Sequence, residues 1–570
     1  MTTIEFLRQF RIGGYALFDL MIKNIFKNHF FPIIFLILFC LFQMKAFFIP
    51  AWPKSHDGIF HVIRMKDYFR ELKHGQFPVR WVDDLDYGYG LPLFTYIYPG
   101  PYILTSIPMA VSGNEVVSYK LVMIIGYALG VIGIYALFAR KNIFFALAAG
   151  ILFGLTPYIF LDVFVRGALA EILAIGFMPW ALYGLTTRKY SLGAISLCFV
   201  LISHNFLGIF FLLFLLLFFI WNGTFDRKTL QAVILGIGLS AFFLLPMIIE
   251  SRYINSGFGN SYAFDYQNHF VYPFQLLYGK WGFGYSVLGP KDGMSFQLGF
   301  ANILIIIGSC FTLSTVKQKK YLLFFLLVVF GSIFLTLTFS QFIWDQIKIL
   351  HGLTLFPWRL LFVPAILCPQ LYFLSITQMY SHHPWRAYVI TVALIALAAI
   401  NVRNYRQATE YVSTETYRGM VIADEQKTTT ILRNEISPIW SPDIKGGGNR
   451  VIHTSTKGTI PADVKPESIT FTVESDKEPV TILKNYFPGW KLTDLTRSKE
   501  IPVQPDPDGN VTASLPTGTY TYAYGQTNIE RYANIISLCS FLIILGISMT
   551  PFLKKFFNRL RLFLLNYNRL

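Results

Sequence analysis

Apolar runs of membrane-crossing length recur along the chain, and no other feature of the sequence restricts its fold as much. They fall at roughly 30–49, 115–139, 142–160, 168–187, 190–204, 205–221, 229–249, 296–316, 321–340, 356–378, 387–402 and 532–553. Hydrocarbon holds no water, so every backbone N–H and C=O in such a run must be bonded within it, and each run is expected to be an α-helix. The stretch 190–221 reads either as two helices or as one long one. Only 14% of the 570 residues are charged and 54% are hydrophobic. A soluble domain carries about a quarter charged residues, so lipid must cover much of this surface.

Basic residues punctuate the runs regularly. Arg8, Arg11, Lys23 and Lys27 precede the first run, and Lys554, Lys555, Arg559 and Arg561 follow the last. Between them, Arg140–Lys141, Arg188–Lys189, Arg227–Lys228, Lys317/Lys319/Lys320 and Arg386 follow every second run. Counting twelve spans puts all of these clusters on one side, which the positive-inside rule makes cytoplasmic, with both termini inside. The net charge of +16 is thus spread over topology signals and forms no groove-like patch, so nucleic acid is not an expected partner. The five cysteines, Cys40, Cys198, Cys310, Cys368 and Cys539, all fall in apolar runs and read as core residues, not as a disulfide framework. The first run, from near His29, has no small-residue cleavage site behind it and reads as a retained helix.

The expected fold class is a polytopic α-helical membrane protein of about 12 transmembrane helices with a small extracytoplasmic β-sandwich domain. Its parts would be a cytoplasmic N-terminal segment (1–29), a transmembrane domain (30–402), a β-rich domain (403–531), a final helix (532–553) and a basic cytoplasmic tail (554–570). Large exterior loops at 50–114 and 250–295 belong to the transmembrane domain. The β assignment rests on Ser468-Ile-Thr-Phe-Thr-Val-Glu and Gly518-Thr-Tyr-Thr-Tyr-Ala-Tyr, which alternate along a strand, with a turn at Asp508-Gly-Asn.

Long loops gathered on one face of a multi-pass membrane protein point to work done there. If 57–73 is helical, Asp57, His61 and Arg64 occupy one stripe, opposite an apolar side that includes Ile59, Phe60, Ile63 and Tyr68. A carboxylate beside histidine and arginine suits a general base toward an acceptor hydroxyl, with arginine holding phosphate. The alternative is a helix cap at Asp57 on an ordinary interfacial helix. At the same level lie Asp162, Arg166 and Glu171 between runs three and four, His204–Asn205, Glu250 and Arg359. Charges at span ends often snorkel, but so many on one face suggest a shared polar cavity. Arg166 and Arg359 would suit a lipid phosphate, and Arg166 is the expected partner of Glu171. A divalent cation (Mg or Mn) is the alternative, held by Asp57, Asp84 and Asp86 or by His56, Asp57 and His61. The loop Tyr278-Gly-Lys-Trp-Gly-Phe-Gly-Tyr offers rings for stacking on sugars, or an interfacial aromatic belt.

Taken together, Asp57-x-x-Phe-His, Gly75-x-Phe-Pro-x-Arg-Trp, Arg166-Gly-Ala-x-Ala-Glu171, Ser203-His-Asn, Phe356-Pro-Trp-Arg359 and Tyr486-Phe-Pro-Gly-Trp resemble a bacterial family. It is the multi-pass membrane proteins called 6-pyruvoyl-tetrahydropterin synthase-related, akin to the YfhO-like proteins. The resemblance runs from about residue 50 to 490 and implies a branch of the GT-C type glycosyltransferases. These take sugar from a polyprenyl-phosphate donor, with an acidic residue of the first exterior loop near the acceptor, a role that falls to Asp57 here. The second loop carboxylate that many relatives carry has its nearest counterpart at Asp67.

The expected function is transfer of a sugar from a polyprenyl-phosphate donor to a cell-envelope glycan or lipid acceptor, outside the cytoplasmic membrane. Asp57 and His61 would be catalytic. Arg64, Arg166, Glu171, His204, Glu250 and Arg359 would bind donor phosphate or position the residues that do. No metal is required by this reading. The alternatives are a transporter or flippase of lipid-linked glycans and a non-catalytic envelope assembly protein.

Overall fold

The computed structural model describes residues 29–255, 265–347, 356–408, 410–413, 415–417, 419, 436–441, 452–454, 458–465 and 468–567. The basic residues expected ahead of the first span lie outside them. Over every one of the twelve apolar runs there is a helix. Among the described residues, seven are long and apolar enough to cross a membrane: Glu115–Phe138, Leu169–Thr186, Asn205–Asn222, Lys319–Thr336, Pro357–His382, Pro384–Asn401 and Asn528–Thr550. Two further runs are helix pairs, Ile143–Gly154 with Pro157–Arg166 and Arg227–Leu239 with Ala241–Tyr253, bent by 48° and 67°. The remaining three helices, Phe30–Gln43, Tyr190–Ser203 and Phe300–Thr312, are shorter. The 190–221 stretch is two helices broken at His204, and the last helix continues to Tyr567.

For the site, four helices matter: α1 (Phe30–Gln43), α2 (Gly58–Lys73), α3 (Gly100–Ser112) and α4 (Glu115–Phe138). Three more complete the frame: α5 (Ile143–Gly154), α6 (Leu169–Thr186) and α7 (Pro384–Asn401). Close backbone approach sets the packing of α4 on α6: a Cβ at Gly176 would lie 2.5 Å from the Gly126 carbonyl oxygen, a small-residue contact suited to helices in lipid. Helix α2 forms where its pattern predicts, with much of its apolar side turned into the protein. Val62, Ile63, Met65 and Tyr68 are all buried within the protein, so α2 is a wall of the domain. Of the cysteines, Cys40, Cys198 and Cys368 are core residues, whereas Cys310 and Cys539 are exposed on their helices. A thiol is apolar enough to face lipid, which the run of hydropathy cannot distinguish from burial.

The basic clusters converge at one end of the bundle. Lys141 donates to Gln318, Trp221 donates to the Lys320 carbonyl, and Ser548 bonds Ser191 beside Arg188–Lys189. The first-loop helices and the C-terminal strands lie toward the other end. There, two five-stranded antiparallel sheets form, one ordered Gln504–Pro505, Asn510–Leu515, Glu478–Asn485, Ile452–Thr454, Gly458–Ile460 and the other Ala462–Lys465, Ser468–Val473, Gly518–Tyr524, Trp490–Asp494, Lys499–Ile501. Their longest strands are Ser468–Val473, Glu478–Asn485, Trp490–Asp494, Asn510–Leu515 and Gly518–Tyr524. The two sheets share one apolar core, with Val480, Ile482 and Val511 from one and Phe471, Leu492 and Tyr522 from the other. Trp81 of the first loop joins that same core. Its indole donates to Asp83, and Asp83 is ion-paired with Lys484 of the strand Glu478–Asn485.

A buried arginine–carboxylate centre beside the first loop

The centre is built where the chain departs from regular helix. After α5 the chain re-enters at Pro157, and residues Leu161–Arg166 form a π-helical turn, a local widening often found at functional sites. The turn stops at Gly167, whose φ of +66° is left-handed and whose absent Cβ leaves room for Ser55 and the Tyr119 hydroxyl. Asp162 and Arg166 are thereby displayed together, and Glu171 enters from the first turn of α6. The first loop is fastened alongside by main-chain bonds: His56 N–H to the Val165 carbonyl at 3.0 Å and Asp57 N–H to the Arg166 carbonyl at 2.7 Å.

Arg166 is the hub. Its Nη1 donates to Asp162 Oδ1 at 2.5 Å and to Glu171 Oε2 at 2.6 Å, and its Nη2 lies 3.6 Å from Asp57 Oδ2. The guanidinium also lies over the Trp358 ring, 4.9 Å from its centroid. Glu171 collects the remaining groups. Tyr158 donates to its Oε1 at 2.5 Å, Arg359 Nε is 3.7 Å from Oε2, and His204 Nε2 is 3.9 Å away. His204 Nδ1 accepts from the Leu207 N–H, which places the ring proton on Nε2, toward Glu171. Its other side stacks on Tyr98 at 5.4 Å. Buried charges at this density are tolerated only when paired and hydrogen-bonded, and here three carboxylates face two arginines.

Two members keep an open side. Asp57 caps α2 by position, yet its side chain makes no capping hydrogen bond and is 31% exposed. Arg359 is 18% exposed, stacks over Phe356, and forms no side-chain hydrogen bond among the described residues. Next to Asp57, His56 donates through Nε2 to the Phe283 carbonyl at 2.6 Å and stacks on Tyr285 at 4.5 Å. Burial lowers the His56 pKa, partly offset by that carbonyl and by Asp57. Of the aromatic loop read for sugar stacking, Phe283 and Tyr285 therefore flank the centre, while Trp281 stacks on Tyr405 at 4.1 Å.

Asp57, Arg166, Glu171, His204 and Arg359 thus meet as the sequence suggests. His61 and Arg64 form the wall behind: His61 Nδ1 bonds the Tyr102 hydroxyl at 3.0 Å, and the Arg64 charge acts on Tyr98 and Tyr102. Burial, reinforced by Arg64 and His204, holds the His61 pKa well below the ordinary histidine range. Glu250 stands apart. Its carboxylate accepts from Thr527 at 2.5 Å, and the Tyr96 hydroxyl donates to its carbonyl, near the Arg80–Glu530 pair at the foot of the final helix. Asp84 pairs with Arg70 at 3.1 Å, in the last turn of α2 and so about 20 Å along it from Asp57. Asp86 accepts from Asn485 at 2.7 Å. Among the described residues no three His, Cys, Asp or Glu side chains gather in a metal-ligating group. Trp358 lies within the motif Phe356-Pro-Trp-Arg359 and Phe283 within the aromatic loop, whereas Tyr158 carried no signal in the sequence, because it reaches the centre through tertiary contact alone.

No family model matches the chain, and no curated protein matches it in sequence. Among solved structures the chain is similar to the arabinofuranosyltransferase AftD from mycobacteria, with a TM-score of 0.45 and 11% identity, over 88% of this chain and 40% of that one. The chain therefore spans well under half of that protein's length.

Proposed function

We propose that this multi-pass membrane protein is a glycosyltransferase that moves a sugar from a polyprenyl-phosphate donor to a cell-envelope acceptor, on the extracytoplasmic face. One observation carries the reading: a part-exposed carboxylate, Asp57, is held 3.6 Å from an arginine whose own position is locked by Asp162 and Glu171, with the partly open Arg359 across Glu171. That is a base and an anion site fixed in one frame.

In the proposed step the acceptor hydroxyl oxygen bonds to the sugar anomeric carbon, and its proton passes to Asp57. The bond from that carbon to the phosphate oxygen breaks with its electron pair, inverting the centre. Arg359 receives the departing phosphate, and Arg166 acts as a positioning residue for Asp57. Phosphate is a competent leaving group, so the burden falls on placement and charge stabilisation more than on acid catalysis. A transporter of lipid-linked glycans is the second reading, favoured by the 48° break in the span that carries Asp162 and Arg166.

Both are tested with purified protein in nanodiscs, given radiolabelled polyprenyl-phosphate sugars and envelope extract. Label moved to an acceptor by the native chain and not by folded Asp57→Asn supports transfer. Intact label appearing on the opposite leaflet supports transport and refutes the enzyme. Full transfer by Asp57→Asn refutes the assignment of the base.

A further inference from the structure

The far end of α1 carries a second cationic site, separate from the arginine–carboxylate centre. Helix α1 is antiparallel to α4: at one end His29 bonds the Tyr135 hydroxyl at 2.8 Å, and at the other Lys120 donates to the Ile49 and Ala51 carbonyls. Arg140–Lys141 follow α4, so the C-terminal end of α1 is opposite the end where the basic clusters gather. Positive-inside topology does not account for cations here. Yet Lys45, just past α1, and Arg406, just past α7, both lie over the Phe42 ring, at 5.5 and 5.6 Å from its centroid. The two cations are therefore no more than about 11 Å apart, and Lys45, exposed on a flexible four-carbon stem, can swing to meet Arg406 at one phosphate.

Among the described residues Lys45 and Arg406 have no carboxylate partner and no side-chain hydrogen bond, and Arg406 Nε is buried with no acceptor. The nearby Glu410 is taken by Lys54 at 2.7 Å. An exposed apolar face of α1 leads up to them. Phe31, Phe35, Leu38 and Phe42 are 50–62% exposed and repeat at helical spacing along one face of α1, leading to Lys45. The opposite face, with Leu36 and Cys40, is buried against the protein.

We infer that Lys45 and Arg406 form a binding site for the phosphate headgroup of a membrane lipid whose chain lies along the exposed face of α1. The chemistry is two charge-assisted contacts to phosphate beside an apolar stripe. It is shared by anionic glycerophospholipids and polyprenyl phosphates, and it does not depend on whether the chain transfers sugar.

The test is native mass spectrometry of the full chain released from detergent, titrated separately with phosphatidylglycerol, undecaprenyl phosphate, diacylglycerol and inorganic phosphate. Retained phosphate lipid should weaken by about tenfold for each cation removed in Lys45→Gln and Arg406→Gln, and Arg406→Lys should restore much of it. Retention of both lipids supports a general headgroup site; retention of one identifies the source. Equal displacement by inorganic phosphate, equal retention of diacylglycerol, or unchanged adducts in the folded double variant would each overturn the inference. Thermal melts of every variant establish that it is folded.

Discussion

Replacing Glu171 by glutamine tests the physical basis of the centre directly. The side chain is 1% exposed, and its carboxylate meets Arg166 at 2.6 Å, Tyr158 at 2.5 Å and Arg359 at 3.7 Å. Breaking a buried ion pair by removing one partner costs about 3–5 kcal/mol, because the remaining charge stays desolvated. Asp162 still faces Arg166 at 2.5 Å, so the expected cost lies toward the lower part of that range, about 3 kcal/mol. Arg166→Met should cost at least as much, since it strands Asp162 and Glu171 together. The double variant Arg166→Met/Glu171→Gln removes both sides of the pair, so its loss should fall short of the sum of the singles by about 1–3 kcal/mol. Equilibrium unfolding in mixed micelles with increasing dodecyl sulfate, followed by circular dichroism, gives the four free energies. Singles that cost under about 1 kcal/mol, or losses additive within about 0.5 kcal/mol, would show that these charges are not coupled as the geometry requires.

Three further outcomes are expected. Tyr158→Phe removes a hydrogen bond to a buried carboxylate and should cost about 1.5–3 kcal/mol in the same assay, with no change in secondary structure. Trp81→Ala empties a first-loop side chain, 2% exposed, from the core of the strand domain; a loss of about 3–5 kcal/mol should appear as faster limited proteolysis between residues 403 and 531. The depressed pKa of His61 makes stability pH-dependent in a definite sense. The unfolded ring takes a proton below about pH 6.5 while the folded ring refuses it, so melting temperature should fall as pH drops from about 7 to 5, and His61→Gln should flatten that slope.

Hydropathy and charge made the helical segments legible because lipid leaves the backbone no alternative to internal hydrogen bonding. Run by run, the apolar stretches became helices, and Asp508-Gly-Asn and the alternating segments became turn and strands. The same reasoning placed Asp57, Arg166, Glu171, His204 and Arg359 at a common level, and the structure brings them into contact. It placed Glu250 at that level too, and there it failed for an identifiable reason. A residue's position at a span end gives its depth along the bundle but not the direction its helix turns it, and Glu250 faces Thr527 and the final helix instead.

Direction is what only the tertiary structure decided. The π-helical turn at Leu161–Arg166, the left-handed Gly167 and the main-chain bonds from His56 and Asp57 to Val165 and Arg166 aim the charges at one another. None of these has a periodic signature. Trp81 and Lys484 likewise lie some four hundred positions apart in the chain, yet both meet Asp83, tying the first loop to the strand domain. The sequence by itself determined which segments must be helices and which charges share an end of them, since burial in lipid acts on each segment alone. Which of those charges touch depends on how segments distant in sequence rotate and pack, and that is a property of the folded whole.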